Sequence, residues 1–219
     1  MEFSTGAALR FGWETFKKRP WFFVGAGLLI LLVSFVVGVV TSSIDWLLTG
    51  SPDEPSLVGS LINTALGILI TMGATAFYLD AHDNPSTVTL ASLWHPQPFW
   101  KFLGASILFG LTMAVGFLLL IVPGIIFALM FLFTTFIVID RQLGPIEAMK
   151  ESNRITRGHK WQLLGLLLLL TLINILGLMA LGLGLLISIP VSSLAFTYAY
   201  RTLSGTPVAR DAAMVAQAE

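Results

Sequence analysis

Six long stretches of this 219-residue chain are apolar and free of charge: residues 21–44, 57–79, 102–122, 124–139, 161–181 and 183–200. A helix crosses roughly 30 Å of hydrocarbon with about 20 apolar residues at 1.5 Å each. The first, second, third and fifth stretches qualify by length. The fourth and sixth follow from the runs that contain them. Residues 102–139 and 163–200 are each 38 residues without a charge. As single helices they would be about 57 Å long, nearly twice the hydrocarbon thickness. Each run must therefore fold back at its breakers, Val122-Pro123-Gly124 in one and Gly182-Leu183-Gly184 in the other. Pro190 interrupts the sixth stretch, with Ser188, Ser192 and Ser193 beside it to satisfy the carbonyl it frees, and is read as a kink.

The polar segments between these stretches carry a helical period. Ser4 is placed to cap a helix with Leu9, Trp13 and Phe16 on one face and Arg10, Glu14, Lys17 and Lys18 elsewhere. Pro145 suits a first helical position, and Ile146, Met149 and Thr156 line one side of residues 145–157. Residues 87–94 form a shorter, more apolar counterpart. Each segment reaches a Trp with Gly four residues later: Trp21 and Gly25, Trp100 and Gly104, Trp161 and Gly165. The pattern predicts an all-α integral membrane fold of six transmembrane helices in three hairpins, each preceded by an interfacial amphipathic helix. The units, about residues 4–80, 86–140 and 145–203, would form a parallel pseudo-threefold repeat in a single membrane domain, residues 1–219. Residues 206–219 are expected to be a flexible cytoplasmic tail.

Charge orients this arrangement. All twelve Lys and Arg fall before the first stretch, after the sixth, or in two of the five gaps; the other three gaps hold only Asp45, Asp53 and Glu54. Cytoplasmic loops collect Lys and Arg, so both termini are expected inside, in a prokaryotic plasma (inner) membrane. Charged residues are only 11% of the chain and the mean hydropathy is +0.87, against roughly 25% charged in a soluble domain. The formal net charge of zero hides +3 on the inner side and −3 outside. Lys17, Lys18, Arg19, Arg154, Arg157 and Lys160, with Trp21, Trp100 and Trp161, are read as anchors among lipid headgroups, each base contributing about 1 kcal/mol. The bases are interspersed with acids, which argues against nucleic-acid binding. The polar N-terminal region of about 20 residues, and the long run after it, do not fit a cleavable signal peptide.

Candidate chemistry is sparse. The second stretch carries Gly59, Asn63, Gly67, Thr71 and Thr75 at every fourth position, one slowly drifting helix face. It reads first as a helix-packing seam and second as the lining of a substrate path, with Asn174 of the fifth stretch able to join it through an Asn–Asn or Asn–Thr contact. No charge lies inside a span, which argues against a proton-driven pump. His82, His95 and His159 lack zinc spacing and read first as surface residues near the interface, and second, for His82 and His95, as able to meet Asp80 and Asp83 in space; no metal or cofactor is expected. There is no cysteine, nucleophile elbow, P-loop or dinucleotide fingerprint, and no catalytic residue is assigned.

Residues 121–205 carry a family likeness. The residues are Ile121-Val122-Pro123-Gly124-Ile125, Val138-Ile139-Asp140-Arg141, Gly144-Pro145-Ile146-Glu147-Ala148, Ser152, Gly158, Lys160-Trp161 and the Gly-rich turn before Pro190. This segment resembles the membrane domain attached to some glycerophosphodiester phosphodiesterases and the YciC-like inner-membrane proteins; the likeness is looser over the first 120 residues. The resemblance implies turns, a cap and an interfacial helix, and no catalytic residue, since the phosphodiesterase activity belongs to a separate soluble barrel. The expectation is a non-enzymatic scaffold or regulatory module, acting in lipid or envelope maintenance. Its rival is a channel, facilitator or transporter for a lipid or small amphipathic molecule. The rival requires Asn63, Thr71 and Asn174 to face one cavity. Expected partners are membrane lipids and another membrane protein or a second copy of the chain, not nucleic acid.

Overall fold

Long apolar runs have nothing to do in a bilayer but close their own backbone hydrogen bonds, and here they form helices. The computed structural model describes residues 3–51, 54–180 and 182–205. The predicted tail and Leu181 lie outside the described residues. The elements are α1 (Thr5–Lys18), α2 (Pro20–Thr49), α3 (Leu57–Asp83), a one-turn 3₁₀ helix (Leu90–Leu93), α4 (Phe99–Leu119), α5 (Ile121–Met130), α6 (Thr134–Arg141), α7 (Pro145–Thr156), α8 (Lys160–Met179) and α9 (Leu185–Ser204). There is no strand among the described residues.

Among the described residues, five segments are long and apolar enough to cross a membrane: Pro20–Thr49, Leu57–Asp83, Phe99–Leu119, Ile121–Arg141 and Lys160–Met179. The sixth predicted stretch is helix α9, which is of span length but more polar. It is also the most sheltered: ten of its 20 residues are buried, against three of the 30 in α2. A helix enclosed by protein needs no lipid-compatible surface all round.

The hairpins turn close to where the breakers stand. Gly182 has a left-handed backbone (φ +76°), and Gly184 stands at the start of α9, where a Cβ would come within 2.7 Å of Gly177. The second hairpin departs from expectation. Its break is at Leu120, while Pro123 and Gly124 sit inside α5. Proline is harmless in a first helical turn, where its missing N–H has no partner to lose, so the break moves ahead of it. Gly124 instead lets α5 close on α4, with Phe117 in the place a Cβ would occupy. In the first hairpin, Asp45 Oδ1 accepts from Ser56 N and Oγ at 2.8 and 2.5 Å, and Ser56 Oγ caps α3 by accepting from Gly59 N.

The fourth stretch is not one helix. It breaks between α5 and α6 at Phe131–Phe133, and α7 repairs the gap. Ser152 Oγ donates to the Met130 carbonyl at 3.0 Å and accepts from the Phe133 N–H at 3.1 Å; Thr156 Oγ1 also reaches Met130 O. Backbone left open at such a place is expensive away from water. Ser152→Ala should therefore cost about 2 kcal/mol, measured by denaturant titration in mixed micelles, because the Phe133 N–H loses its partner and the Met130 carbonyl keeps only the longer bond from Thr156.

The lead-in segments differ among themselves. Pro145 opens α7 as predicted, with Glu147 Oε2 accepting from Gly144 N, and Ala148, Met149, Ser152, Ile155 and Thr156 buried. Ile146, expected on that face, is exposed. Glu151 accepts from Arg154 and Arg141, which together hold its carboxyl below the usual carboxylate range. In α1, Ser4 stands at the cap but its hydroxyl makes no cap bond. The buried face is Ala8, Gly12, Thr15 and Phe16, docked on α9, with Trp13 turned away. A Cβ on Gly12 would stand 2.5 Å from the Val191 carbonyl and 3.0 Å from Ala195 N, so only glycine permits this approach. The middle segment is a single 3₁₀ turn that climbs back along α3 until the Leu93 carbonyl rests on Gly73.

Burial is concentrated where the basic segments lie, here the basic end. Along α3, Met72 to His82 contains eight buried residues, while only Gly59 is buried before it. Phe102, Phe133, Ile137, Leu163, Leu166, Ala195 and Tyr200 join Met72 and Leu79 in one core. Phe16, Phe23, Phe77, Tyr78, Val191 and Leu194 form a second. Toward the far end the hairpins separate, and Leu32, Phe35, Leu47, Leu118 and Leu178 are bare.

Candidate functional site: an uncharged cavity above a buried charge cluster

Between α3 and the α8–α9 hairpin lies a cavity of about 420 Å³. Thr71, Thr75 and Tyr78 project into it from α3 at spacings of four and three residues, one helix face. Thr171 and Asn174 face them from α8, and Ser192 and Ser193 from α9; Phe136, Leu167, Leu170 and Phe196 complete the wall. Thr71 and Thr171 are exposed at the rim, whereas Thr75, Tyr78 and Ser192 are buried at the floor. Asn174 Nδ2 donates to Ser192 Oγ at 3.2 Å, while its Oδ1 is buried and has no partner among the described residues. Thr71 and Thr75 donate to the carbonyls of Gly67 and Thr71, one turn back, leaving their oxygens' acceptor capacity toward the cavity. No charged side chain lines this space.

The five-residue face of the second stretch is thus neither one seam nor one lining. Thr71 and Thr75 line the cavity. Gly59 is tucked beneath Asp45, Gly67 has open space where a Cβ would point, and Asn63 is exposed apart from the cavity. Asn174 meets Ser192, not Asn63 or a threonine. Ser192, expected to serve the gap at Pro190, is the acceptor for that amide.

Below the cavity floor, toward the basic end, the exits of the three hairpins meet. Arg201 of α9 is 5% exposed. Its Nη1 donates to Asp140 Oδ1 of α6 at 2.7 Å and its Nη2 to Asp83 Oδ2 of α3 at 2.5 Å. Tyr200 Oη donates to Asp140 Oδ2 at 2.7 Å, and His82 Nδ1 lies 3.0 Å from Asp83 Oδ1. Ser92 Oγ donates to Asp80 Oδ2, and a second cavity of about 350 Å³ opens beside Asp80, Asp83, His95, Asp140 and Arg201. A fork-shaped guanidinium suits this task, since it grips two carboxylates in fixed directions.

Sequence reasoning weighed a meeting of His82 and His95 with Asp80 and Asp83 only as a second reading, and missed Arg201, Asp140 and Tyr200. Arg201 read as an orienting charge and His82 as a surface residue, yet His82 is 1% exposed, packed on Phe11 with ring centroids 4.7 Å apart. The available signal was the repeated position: Asp83, Asp140 and Arg201 each stand at the end of a hairpin's returning helix. Among the described residues no three His, Asp or Glu side chains stand close enough together to hold a metal ion. Trp21, Trp100 and Trp161, expected to be anchors among lipid headgroups, are about four-fifths exposed. Lys17 lies over the Trp13 ring, and Lys18 and Arg157 are exposed.

Fold and site define an all-helical membrane protein with an uncharged, open cavity between its helices. The chain belongs to the family described as "Domain of unknown function (DUF7847)", which matches residues 57–217. It is similar to "Uncharacterized protein Rv2560" of Mycobacterium tuberculosis (strain ATCC 25618 / H37Rv), 30% identical over 172 residues, 78% of this chain and 52% of that protein. The similarity to "Uncharacterized protein Mb2590" of Mycobacterium bovis (strain ATCC BAA-935 / AF2122/97) has the same extent. The chain spans about half the length of these curated relatives. No solved structure matches it. The comparisons lend nothing to the phosphodiesterase-domain and YciC-like likeness; what stands is an uncharacterised prokaryotic family.

Proposed function

We propose that this protein is a non-enzymatic facilitator in a prokaryotic plasma membrane, basic end and termini in the cytoplasm, for a small neutral amphipathic molecule. One observation carries the reading: Thr71 and Asn174, on different hairpins, face one cavity of hydroxyl and amide groups without a charge, although Asn63, the third residue expected there, lies apart from it. An ion would find no counter-charge there, whereas an alcohol or amide finds acceptors, including the unpartnered Asn174 Oδ1. Apolar walls suit the molecule's tail.

A photoactivatable monoacylglycerol in liposomes tests this. Labelling should saturate, concentrate on residues 71–78 and 171–174, and fall about tenfold in a Thr75→Val, Asn174→Ala double variant, two hydrogen bonds being lost. Non-saturable labelling spread over the lipid-facing helices, indifferent to that variant, would sink the reading. A second reading, a scaffold or regulatory module, is favoured by the greater length of the relatives, in which such a domain accompanies other sequence. It would stand alone after that negative result.

A further inference from the structure

We propose that the groove between α2 and α3, with Arg19 at its foot, is a binding site for one anionic phospholipid. The groove is about 390 Å³, runs from Leu29 and Ile70 up to Val37 and Leu66, and is closed on one side by Leu93 and Trp94. All its lining side chains are aliphatic or aromatic, so it takes a hydrocarbon tail. What is unusual is its wall. The climbing segment brings non-helical backbone some ten residues, about 15 Å, up α3. Such backbone is stable at that depth only where protein buries it, and here the Leu93 carbonyl is held against Gly73, which makes the segment a fixed wall for the groove.

The foot of the groove says which lipid. Arg19 Nη1 donates to the carbonyls of Val88 at 3.0 Å and Ser86 at 3.3 Å, and its guanidinium lies over the Phe22 ring at 4.0 Å. The charge is thereby fixed two residues from Leu90, which lines the groove. Its Nε and Nη2 have no protein acceptor among the described residues, and Lys18 is exposed beside it. No acid is bonded to Arg19 there, so a phosphodiester is the natural partner for its free N–H groups. Along α2, Arg19 is about 15 Å from Leu29, a span that a phosphate, glycerol and the first methylenes of a tail cover. Headgroup and tail sites are in the order a phospholipid needs.

The test uses Trp94 as reporter, in vesicles of phosphatidylcholine doped with phosphatidylglycerol brominated in mid-chain. Quenching at Trp94 is the difference between the protein and its Trp94→Phe variant. It should saturate at low mole fraction and favour brominated phosphatidylglycerol over brominated phosphatidylcholine by about fivefold. Arg19→Gln should abolish that preference, and Arg19→Lys, which keeps the charge, should recover most of it. Val33→Phe, filling the groove, should remove the saturable quenching with Arg19 intact. Equal quenching by the two lipids overturns the proposal, as does a preference unchanged in Arg19→Gln. Competition by soluble glycerol phosphate, or quenching lost as protein density rises, would also overturn it, pointing to a free anion or to a second copy of the chain. The cavity of the proposed function is untouched by these variants, so the two readings fail separately.

Discussion

Replacing Arg201 by methionine should lower the unfolding free energy by about 3 kcal/mol. Methionine keeps much of the side chain's length, so the packing beside Tyr200 changes little. The electrostatics change completely. Asp140 and Asp83 face Arg201 from two other hairpins, and with the guanidinium gone two carboxylates confront each other across a cavity. Removing one partner of a buried pair typically costs 3–5 kcal/mol, because the remaining charge has been taken from water without compensation. The lower end applies here, since the Asp83 side chain is 37% exposed and keeps part of its hydration. Adding Asp140→Asn to Arg201→Met should recover part of the loss, which a simple packing defect would not show. Denaturant titration of the single and double variants in mixed micelles reads both numbers. A loss below about 1 kcal/mol would place the cluster with ordinary surface ion pairs.

Gly12→Val should detach α1 from the bundle. The new Cβ would stand 2.5 Å from the Val191 carbonyl and 3.0 Å from Ala195 N, and neither atom can swing aside, both being backbone of α9. Overpacking against flexible neighbours costs about 1–3 kcal/mol, and a backbone clash sits at the upper limit. Relief requires α1 to move off, exposing Ala8, Thr15 and Phe16. The readout is local. Trypsin should cut at Arg10, Lys17 and Lys18 on the order of a hundredfold faster, because cleavage follows the population of the undocked helix. Far-ultraviolet circular dichroism should change only by the share of α1. Unchanged protection would show that α1 tolerates a shifted berth.

The lipid-facing parts of the fold were legible because bilayer solvation imposes a simple rule on them. Apolar length gave the helices, Gly182 marks a turn through its left-handed backbone, and Trp21, Trp100 and Trp161 stand exposed. The protein-facing parts obey less local rules. The break at Phe131–Phe133 has no proline or glycine; it persists because Ser152, some twenty residues on, offers hydrogen bonds. The climb of Leu90–Leu93 depends on the absence of a side chain at Gly73, a fact about a neighbour. In α1 the eye follows Leu9, Trp13 and Phe16, but the docking face is set by Ala8 and Gly12, since close helix approach rewards small residues. Half of the candidate site was readable on α3 and α8. The other half, Ser192 as partner of Asn174 and Arg201 as partner of Asp83 and Asp140, depends on which helices meet, a tertiary fact that the repeated positions at the hairpin ends only hint at.

The three hairpins are fastened at one end and apart at the other, and that makes each a lever. α2 alone is 30 residues, about 45 Å. A tilt of about 5° at its fastened end displaces its tip by about 4 Å, comparable to the spacing of neighbouring lipid tails. Small rearrangements around Arg201, too slight to unpack the core, are therefore magnified at the opposite leaflet.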